Sequence, residues 1–347
     1  MHTVNTHHTT EPVGHRACSM LALVQDRYGT SDVLRLRERP RPEIGDHDVL
    51  VRVATAGVDR GLWHRVTGRP YITRLAFGLR RPRNEVPGLD LAGIVDTVGA
   101  AVTRFAEGDL VFGTGHGTLA EYARADEDRL AGIPSNISMR EAGVLAVTGS
   151  AALQAVEDHG RVRPGDEVLV LGASGGVGTF AVQIARALGG IVTGVAGGEK
   201  LDLVHRIGAD RVVDYRTVDP LAEQDRYDVI IDSGGSRRLR DLRRALTPTG
   251  TLVIVGGENG GRWFGGTDRP LRATLLSPLV RQRLTTFVAR EDAAHLERLA
   301  DLVETGRVTP IVDRSFPLAD AADAIAHLES GRTRGKIAID IDAGAQR

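Results

Sequence analysis

Residues 167–178 read EVLVLGASGGVG, which is the strongest indication of the fold in this chain. The run VLVL at 168–171 is continuously aliphatic, as in strands buried on both faces of a parallel sheet. Glycines follow, and then apolar residues at helical spacing from Val177 to Leu188. The loop Ala173-x-Gly175-x-x-Gly178 matches the dinucleotide-binding fingerprint, with Ala in place of the first Gly. Gly175 lets backbone N–H groups approach a pyrophosphate, and Gly178 lets the helix pack closely on the strand.

The same alternation of strand and helix continues on both sides of this loop, from about residue 138 to 257. Strands are predicted at 191–195, 211–213, 229–231 and 251–255, and helices at 200–207 and 236–246. Repeated strand–helix–strand units predict a doubly wound parallel sheet. Residues 21–131 instead contain short strands at 49–53, 91–95 and 109–113, broken by Gly and Pro, which favours a barrel-like β region. Helices at 292–304 and 319–330 and a strand at 336–341 complete the α/β pattern.

Composition narrows the class of protein. A chain of 347 residues predicts two domains. The 44 basic and 45 acidic residues give a net charge of −1, without the basic excess that is usual in nucleic-acid-binding proteins. The single cysteine, Cys18, allows no internal disulfide and no multi-cysteine zinc site, so we expect a reducing, cytoplasmic location. The first 20 residues lack a signal-peptide pattern, and the most apolar stretch, 142–156, is too short to cross a membrane.

Several motifs, in this order, resemble the medium-chain dehydrogenase/reductase superfamily on its quinone oxidoreductase side. They are GTSDVLRL from Gly29, the AGV loop that ends strand 49–53, PGLDLAG from Pro87, VTRFAEGDLVFG from Val102, GASGGVG from Gly172, and Arg334-Gly335-Lys336. The resemblance covers residues 21–341. It implies a GroES-like β-barrel substrate domain (21–140 and 282–347), a Rossmann cofactor domain (141–281) and a homodimer. Residues 1–20, which precede it, are predicted to form a disordered tail.

The resemblance also implies a zinc-independent member. Zinc alcohol dehydrogenases of the superfamily have a catalytic histidine after the Pro-Gly motif, where this chain has Leu89-Asp90, and the four-cysteine zinc lobe is absent. Without a Lewis acid to polarise an alkoxide, alcohol oxidation fits poorly. Hydride transfer to a quinone or an α,β-unsaturated carbonyl fits better, because conjugation spreads the developing charge. We therefore expect no metal, no nucleic-acid partner, no membrane partner and a small electrophilic substrate.

The cofactor is predicted to be NADPH. A fold that prefers NAD usually has an acidic residue at the tip of its second strand. Here strand 191–195 ends in AGGEK, with room at the glycines and a cation at Lys200, while Glu199 is the counter-evidence. Room and positive charge suit a 2′-phosphate. The predicted cofactor-binding residues are Thr148, Ser174, Gly175, Gly176, Val177, Gly197, Lys200, Tyr215, Ser233, Gly256, Gly257 and Lys336.

The substrate end departs from the family pattern. Where family members often have Asn and then Asp, this chain has Asp59 and Leu62, followed by His64 in the predicted cleft loop. An imidazole can donate a proton near neutral pH, so His64 is a candidate donor to the product oxyanion. Asp59 is a candidate orienting group, Trp63 a pocket wall and Tyr71 a further cleft residue. The alternatives are that His64 only shapes the cleft and that solvent supplies the proton.

Three functions remain open from the sequence. The first is an NADPH-dependent quinone or enone reductase. The others are a tailoring reductase or cyclase dedicated to one natural product, and a low-turnover NADPH-binding protein that binds a partner. The segment 262–287 interleaves arginines with apolar residues. We interpret it as a loop and strand beside the cleft and partly at a dimer interface, with Phe287 as a possible pocket residue. The alternative is a membrane-surface or acidic-partner patch.

Overall fold

The computed structural model of the protein describes residues 19–256, 261–266 and 268–342. The described ranges leave out residues 1–18, which include Cys18 and most of the predicted tail. They also leave out Gly257, a predicted cofactor ligand. The predicted tail boundary at residue 20 is wrong, because Ser19 and Met20 begin the first strand and Met20 is buried in an apolar cluster with Ala22, Val24 and Ala120.

A seven-stranded sheet, which we call the barrel-like sheet, is built from both ends of the chain. Its strands are β3 (Asp48–Val58), β4 (Asp90–Val98), β5 (Leu110–Thr114), β6 (Tyr122–Asp126), β7 (Leu130–Gly132), β14 (Val312–Pro317) and β15 (Lys336–Asp340). The pairs are antiparallel except β14 with β15, and the long strand β3 pairs with β4, β6 and β15. The sheet encloses a core that includes Val49, Val51 and Val53. A separate hairpin consists of β1 (Ser19–Val24) and β2 (Arg35–Pro40).

The second sheet has six parallel strands: β8 (Glu167–Leu171), β9 (Ile191–Ala196), β10 (Arg211–Asp214), β11 (Tyr227–Asp232), β12 (Leu246–Ile254) and β13 (Arg283–Thr286). Their order across the sheet is β10-β9-β8-β11-β12-β13. Counted from β8, this is 3-2-1-4-5-6, the order of dinucleotide-binding folds. The α/β fold class predicted from the sequence is confirmed. In such sheets a ligand binds where the order reverses, here between β8 and β11.

Helices cover the sheets and connect them. They are α1 (Arg60–Thr67), α2 (Arg74–Phe77), α3 (Met139–Ala142), α4 (Ala146–Leu153, extended as a wider helix over Gln154–Gly160), α5 (Gly176–Ala187), α6 (Leu201–Arg206), α7 (Leu239–Ala245), α8 (Gly261–Phe264), α9 (Asp268–Leu276), α10 (Ala293–Glu304) and α11 (Ala321–Glu329). The helix predicted at 292–304 begins at an N-cap, since the Asp292 carboxylate accepts a hydrogen bond from the His295 N–H.

The predicted domain boundary at 281/282 is wrong. Strand β13 pairs with β12 in the parallel sheet, and helix α10 buries Leu296, Leu299 and Leu302 in the same core as α5. The parallel-sheet half therefore extends past residue 303. The periodic pattern of apolar residues could not show this, because the edge strand is only four residues long.

Two local predictions also change. The predicted cleft loop around residue 64 is helix α1, which Asp59 caps by accepting from the Leu62 N–H at 2.8 Å. The segment 262–287 was predicted as loop and strand, but its described part holds two helices, α8 and α9, before β13. At α1 the local helix signal is the capping aspartate Asp59, whereas the loop predicted in both places was implied by the family resemblance.

Candidate active site

The carboxyl ends of the parallel strands bring most predicted cofactor residues to one edge of the sheet. The glycine loop follows β8, Gly197 follows β9, Tyr215 follows β10, Ser233 follows β11 and Gly256 lies beyond β12. Parallel strands all end at the same edge, so residues far apart in sequence become neighbours there. The hydroxyl of Ser233 donates to the Leu171 carbonyl at 2.8 Å, which ties the end of β11 to that of β8.

The glycine loop has the close backbone approaches that the fingerprint predicts. A Cβ on Gly178 would lie 2.1 Å from the carbonyl oxygen of Gly172, so only glycine lets α5 begin this close to β8. A Cβ on Gly175 would meet only that same carbonyl oxygen, at 3.4 Å. The backbone at Gly178 therefore lies against other protein atoms, whereas Gly175 has free space around it. A loop that binds a phosphate through its backbone N–H groups needs such space.

Three predicted ligands meet around the start of α5. A Cβ on Gly176 would lie 3.1 Å from Lys336 Cδ and 3.4 Å from the Thr148 methyl group. The Thr148 hydroxyl oxygen is buried and has no hydrogen-bond partner among the described residues. The Gly335 N–H donates to the Ser174 carbonyl at 2.9 Å, which holds the β15 segment against the loop. The arrangement leaves a polar group ready for a ligand beside a glycine cradle.

Lys336, the first residue of β15, is buried between two carboxylates of the same barrel-like half of the molecule. Its Nζ lies 3.1 Å from Asp90 Oδ2 and 3.7 Å from Asp59 Oδ2, and only 1% of its side chain is exposed. The other Asp90 oxygen accepts from the Val147 N–H at 2.7 Å. Burial raises the pKa of Asp90 above its usual range, and the ammonium of Lys336 opposes that rise. Asp59 thus touches the predicted cofactor-binding lysine.

The chain has only two lysines, Lys200 and Lys336, and both are buried at this edge. The sequence predicted Lys200 as a free cation at the tip of β9. The structure instead directs its Nζ to the carbonyl oxygens of Gly331 and Thr333, at 2.6 and 3.0 Å. Burial lowers the pKa of Lys200. Lys200 therefore anchors the segment that leads to Lys336.

The charged groups exposed at the tip of β9 are Glu199 and Arg216. Their side chains form a two-contact pair at 2.6 and 3.2 Å, beside Gly197. The Arg216 guanidinium also lies 5.7 Å from the ring centre of Tyr215, which is half exposed. Arg216 was not among the residues predicted from the sequence, although its position directly after Tyr215 was a usable signal.

His64 lies in the helix that Asp59 caps. Its Nδ1 is 2.5 Å from the carbonyl oxygen of Arg69, and a carbonyl only accepts, so Nδ1 carries the hydrogen. The other ring nitrogen, Nε2, is left for a ligand. Nε2 can donate only when the ring is an imidazolium, so proton delivery through His64 depends on its charged form.

Trp63 and Tyr71 are placed differently from each other. The Trp63 indole donates to Glu329, packs against the core of the barrel-like sheet and meets His64 edge-on at 5.1 Å. It supports His64, and no described contact makes it a pocket wall. Tyr71 meets Trp263 of α8 edge-on at 5.2 Å, so it lies where the two halves of the molecule adjoin.

A further charged group that the sequence did not reveal is Glu291. Its side chain is mostly buried, with one oxygen 4.0 Å from Arg129. Burial raises the pKa of Glu291, and the nearby carboxylates of Asp90 and Asp59 add to the rise. Burial also lowers the pKa of Arg65, which interacts with Asp59 and Glu291. Ionisable side chains thus surround the junction between Lys336 and α1.

Phe287, predicted as a possible pocket residue, stacks on His159 at 4.3 Å beside a cavity of about 490 Å³. The lining of this cavity includes Gln154, His295 and Val288 but none of the predicted catalytic residues.

Within the described ranges, no group of three or more His, Cys, Asp or Glu side chains is arranged to hold a metal ion. The same residues contain no helix that is long and apolar enough to cross a membrane.

Comparison with known families gives two matches along the chain. Residues 45–135 match the alcohol dehydrogenase GroES-like domain, and residues 207–339 match a family described as zinc-binding dehydrogenase. These two stretches contain Asp59, Asp90, Arg216 and Lys336, so they cover both sides of the site.

Individual relatives extend over nearly all of the chain. It is 32% identical to the NADPH-dependent alkenal/one oxidoreductase of Arabidopsis thaliana, covering 92% of this chain and 79% of that protein. It is 31% identical to the quinone oxidoreductase of Mus musculus, covering 88% and 92%. The structure of the quinone oxidoreductase from Coxiella burnetii superposes with a TM-score of 0.82 at 27% identity, covering 93% and 100%.

Proposed function

This chain belongs to the medium-chain dehydrogenase/reductase superfamily as a quinone oxidoreductase-like member, and from that premise we propose how its site works. The protein is an oxidoreductase that uses a nicotinamide cofactor to reduce a quinone or an α,β-unsaturated carbonyl. The observation that carries the assignment to these residues is the meeting of Gly176, Thr148 and Lys336 at the switch point of the parallel sheet.

The residues present fit a bound dinucleotide. The cradle at Gly175 and Gly176 and the N-terminus of α5 suit a pyrophosphate, and the partnerless Thr148 hydroxyl suits a polar group of the cofactor. The bound reduced nicotinamide supplies a hydride to the electron-poor carbon of the substrate. We assign the remaining contacts to the backbone of Ser174 and Val177 and to Gly197, Tyr215, Ser233 and Gly256 along the same edge.

We assign the proton step to His64. Its Nδ1–H is held by the Arg69 carbonyl, so the ring presents Nε2 in one orientation. As an imidazolium, His64 donates from Nε2 to the enolate or phenolate oxygen of the product. Asp59 acts through the position of α1, which it caps, and through Lys336, so it is a positioning residue.

We propose NADPH as the preferred cofactor, with Arg216 as the residue that selects it. Lys200 was the sequence-based choice, but its ammonium already donates to two carbonyl oxygens. The Arg216 guanidinium is exposed and can turn from Glu199 to a 2′-phosphate, which it binds through a charge-assisted pair. NADH has a ribose diol there, which Glu199 would bind instead.

The matched variants are Arg216→Gln and Glu199→Gln. The first should raise the Michaelis constant for NADPH about tenfold or more and leave that for NADH nearly unchanged. The second frees Arg216 and should lower the NADPH constant. Equal effects of Arg216→Gln on the Michaelis constants for NADPH and NADH would refute the assignment. Lys200→Ala should weaken the binding of both cofactors, because it releases the segment before Lys336.

We also propose a homodimer. Strand β13 is an edge strand, and exposed leucines lie on the segment before it: Leu271, Leu275 and Leu279. An open edge with apolar neighbours is suited to pairing with a second copy. Sedimentation equilibrium of the wild type and of Leu275→Glu tests this, since the variant should be monomeric if the surface is the interface.

The deciding experiment for the reaction is cofactor oxidation across quinones, enones, enoyl thioesters and aldehydes. We expect turnover with quinones or enones and reduced product in equal amount to oxidised NADPH. Tight NADPH binding without turnover on any substrate would instead favour a low-turnover binding protein. Turnover restricted to one elaborate enone would favour a tailoring reductase.

A further inference from the structure

One stretch of the chain is strongly basic although the chain as a whole is nearly neutral. Residues 60–84 contain seven arginines and no aspartate or glutamate, while the net charge of the chain is −1. This stretch comprises α1, α2 and the loops that follow each helix. Any electrostatic attraction to an anionic surface would therefore orient the molecule with this side foremost.

The arginines of this stretch fall into two groups. Those closer to the core are used within the protein: Arg74 donates to the Gly68 carbonyl at 3.0 Å and Arg65 lies 4.7 Å from the ring centre of Phe77. Arg80, Arg81 and Arg83 are exposed, and in the described part of the chain their side chains make no hydrogen bond or ion pair. Three cationic side chains thus point into solvent without a carboxylate to neutralise them.

Large apolar side chains lie exposed among these arginines. Leu75 is 66% exposed and Leu79 is 68% exposed, and Ile72 is also exposed. Trp263 of α8 is 70% exposed and extends the surface through its contact with Tyr71. Grouped exposed apolar residues mark interaction sites, because their contact with water is unfavourable.

This surface, which we call the basic rim, consists of residues 72–83 and Trp263, and it borders the proposed active site. Pro70 packs so closely on Gly265 that a Cβ there would lie 2.3 Å from the proline ring. The Arg69 carbonyl, directly before it, holds His64. The basic rim therefore spans both halves of the molecule next to the proton donor.

We propose that the basic rim docks on an anionic lipid bilayer, with the mouth of the cleft toward the lipid. Leucine and tryptophan side chains partition into the interfacial region of a bilayer, and arginines bind the acidic headgroups around them. An acidic protein would match the charge, but four separate apolar side chains interleaved with arginines are better matched by acyl chains and headgroups. The expectation of no membrane partner, drawn from the absence of a spanning segment, does not bear on such surface binding.

The test is cosedimentation of the full chain with vesicles of phosphatidylcholine alone and of phosphatidylcholine with phosphatidylglycerol. We expect binding to the second only, weakened by salt. Each arginine near an anionic surface contributes about 1 kcal/mol, so Arg80→Gln with Arg81→Gln should lower the partition coefficient about 30-fold. Leu75→Ser with Leu79→Ser should also lower it, at unchanged net charge.

The matched control is Arg37→Gln with Arg240→Gln, which removes two charges from exposed positions elsewhere. It should bind vesicles nearly as the wild type does. A second readout rests on the proposed function: the basic-rim variants should lose activity on a quinone dissolved in anionic vesicles and keep it on a water-soluble quinone. Vesicle binding is measured without substrate, so it stands even if the reductase assignment fails.

Four results would overturn the proposal. The first is that the wild type does not bind anionic vesicles at low salt, and the second is that the control and the basic-rim variants lose vesicle binding equally. The third is that the protein binds soluble polyglutamate through the basic rim but does not bind vesicles. The fourth is that the leucine variant changes the oligomeric state. The third would assign the basic rim to an acidic macromolecule and the fourth to a second copy of this chain.

Discussion

Replacing Lys336 with methionine should destabilise the protein more than any other substitution of a basic residue at the site. Its Nζ lies 3.1 Å from Asp90 Oδ2, and both side chains are only 1% exposed. Methionine fills a similar volume without the charge, so Asp90 remains buried and unpaired. Removing one partner of a buried ion pair typically costs about 3–5 kcal/mol, or roughly 100- to 4,000-fold in the unfolding equilibrium.

The assay is unfolding in urea followed by far-ultraviolet circular dichroism, with NADPH absent. Lys200→Met is the matched control, because Lys200 is the only other lysine and its partners are two carbonyl oxygens. Removing the hydrogen bonds from Lys200 to neutral carbonyl groups leaves no buried charge unpaired. We therefore expect Lys200→Met to lower the free energy of unfolding by about 1 kcal/mol. The double variant Lys336→Met with Asp90→Asn removes both charges and should recover most of the stability.

The predicted role of the Lys336–Asp90 pair is refuted if Lys336→Met costs no more free energy of unfolding than Lys200→Met. It is also refuted if Asp90→Asn makes the Lys336→Met protein less stable, because the two losses would then add as independent sites. Titration of NADPH binding on the stable double variant separates the second role of Lys336. We expect weaker binding of NADPH and of NADH alike, since Lys336 lies at Gly176 and not at the tip of β9.

Three further predictions follow from the site. His64→Gln keeps a polar side chain beside the Arg69 carbonyl but cannot deliver a proton. Turnover should therefore fall about 10²-fold with little change in cofactor affinity. Unchanged turnover and an unchanged pH profile would show that His64 has a structural role only. Burial raises the folded-state pKa of Glu291, so protonation of this side chain favours folding and its ionisation opposes folding. The stability that the protonated side chain contributes is fully present below the pKa of the unfolded chain. It is lost as pH rises through the pKa of the folded chain. The thermal midpoint of Glu291→Gln should therefore exceed that of the wild type by an amount that grows as pH rises above the usual pKa of a glutamate, and a constant difference would contradict the assignment. Exhaustive chelation should leave activity and stability unchanged, whereas activity lost to the chelator and restored by zinc would show that a metal takes part.

Much of the fold could be predicted because its signals are local. The strand, loop and helix at 167–178 depend on consecutive residues, and Glu167–Leu171 and Gly176–Ala187 form where the pattern places them. Gly178 is required by a contact with Gly172, six residues away. The alternation of strand and helix predicted parallel strands with right-handed crossovers, but the order of the strands across the sheet came from the structure. The helix at α1 was missed since its main signal is one capping aspartate, Asp59.

Only the tertiary structure decided which charges meet. Lys336 and Asp90 are 246 residues apart, and Lys200 and Thr333 are 133 apart, so no spacing along the chain could pair them. The sequence placed Lys200 at the tip of β9, where it lies. The direction of a long side chain depends on the residues that pack beside it, and the segment before Lys336 packs beside Lys200. Arg216 was left exposed by the same packing. The identity of each residue was set by the sequence, while its partner was set by the way the two sheets come together, because electrostatic and hydrogen-bond energies depend on distance in space and not on separation along the chain.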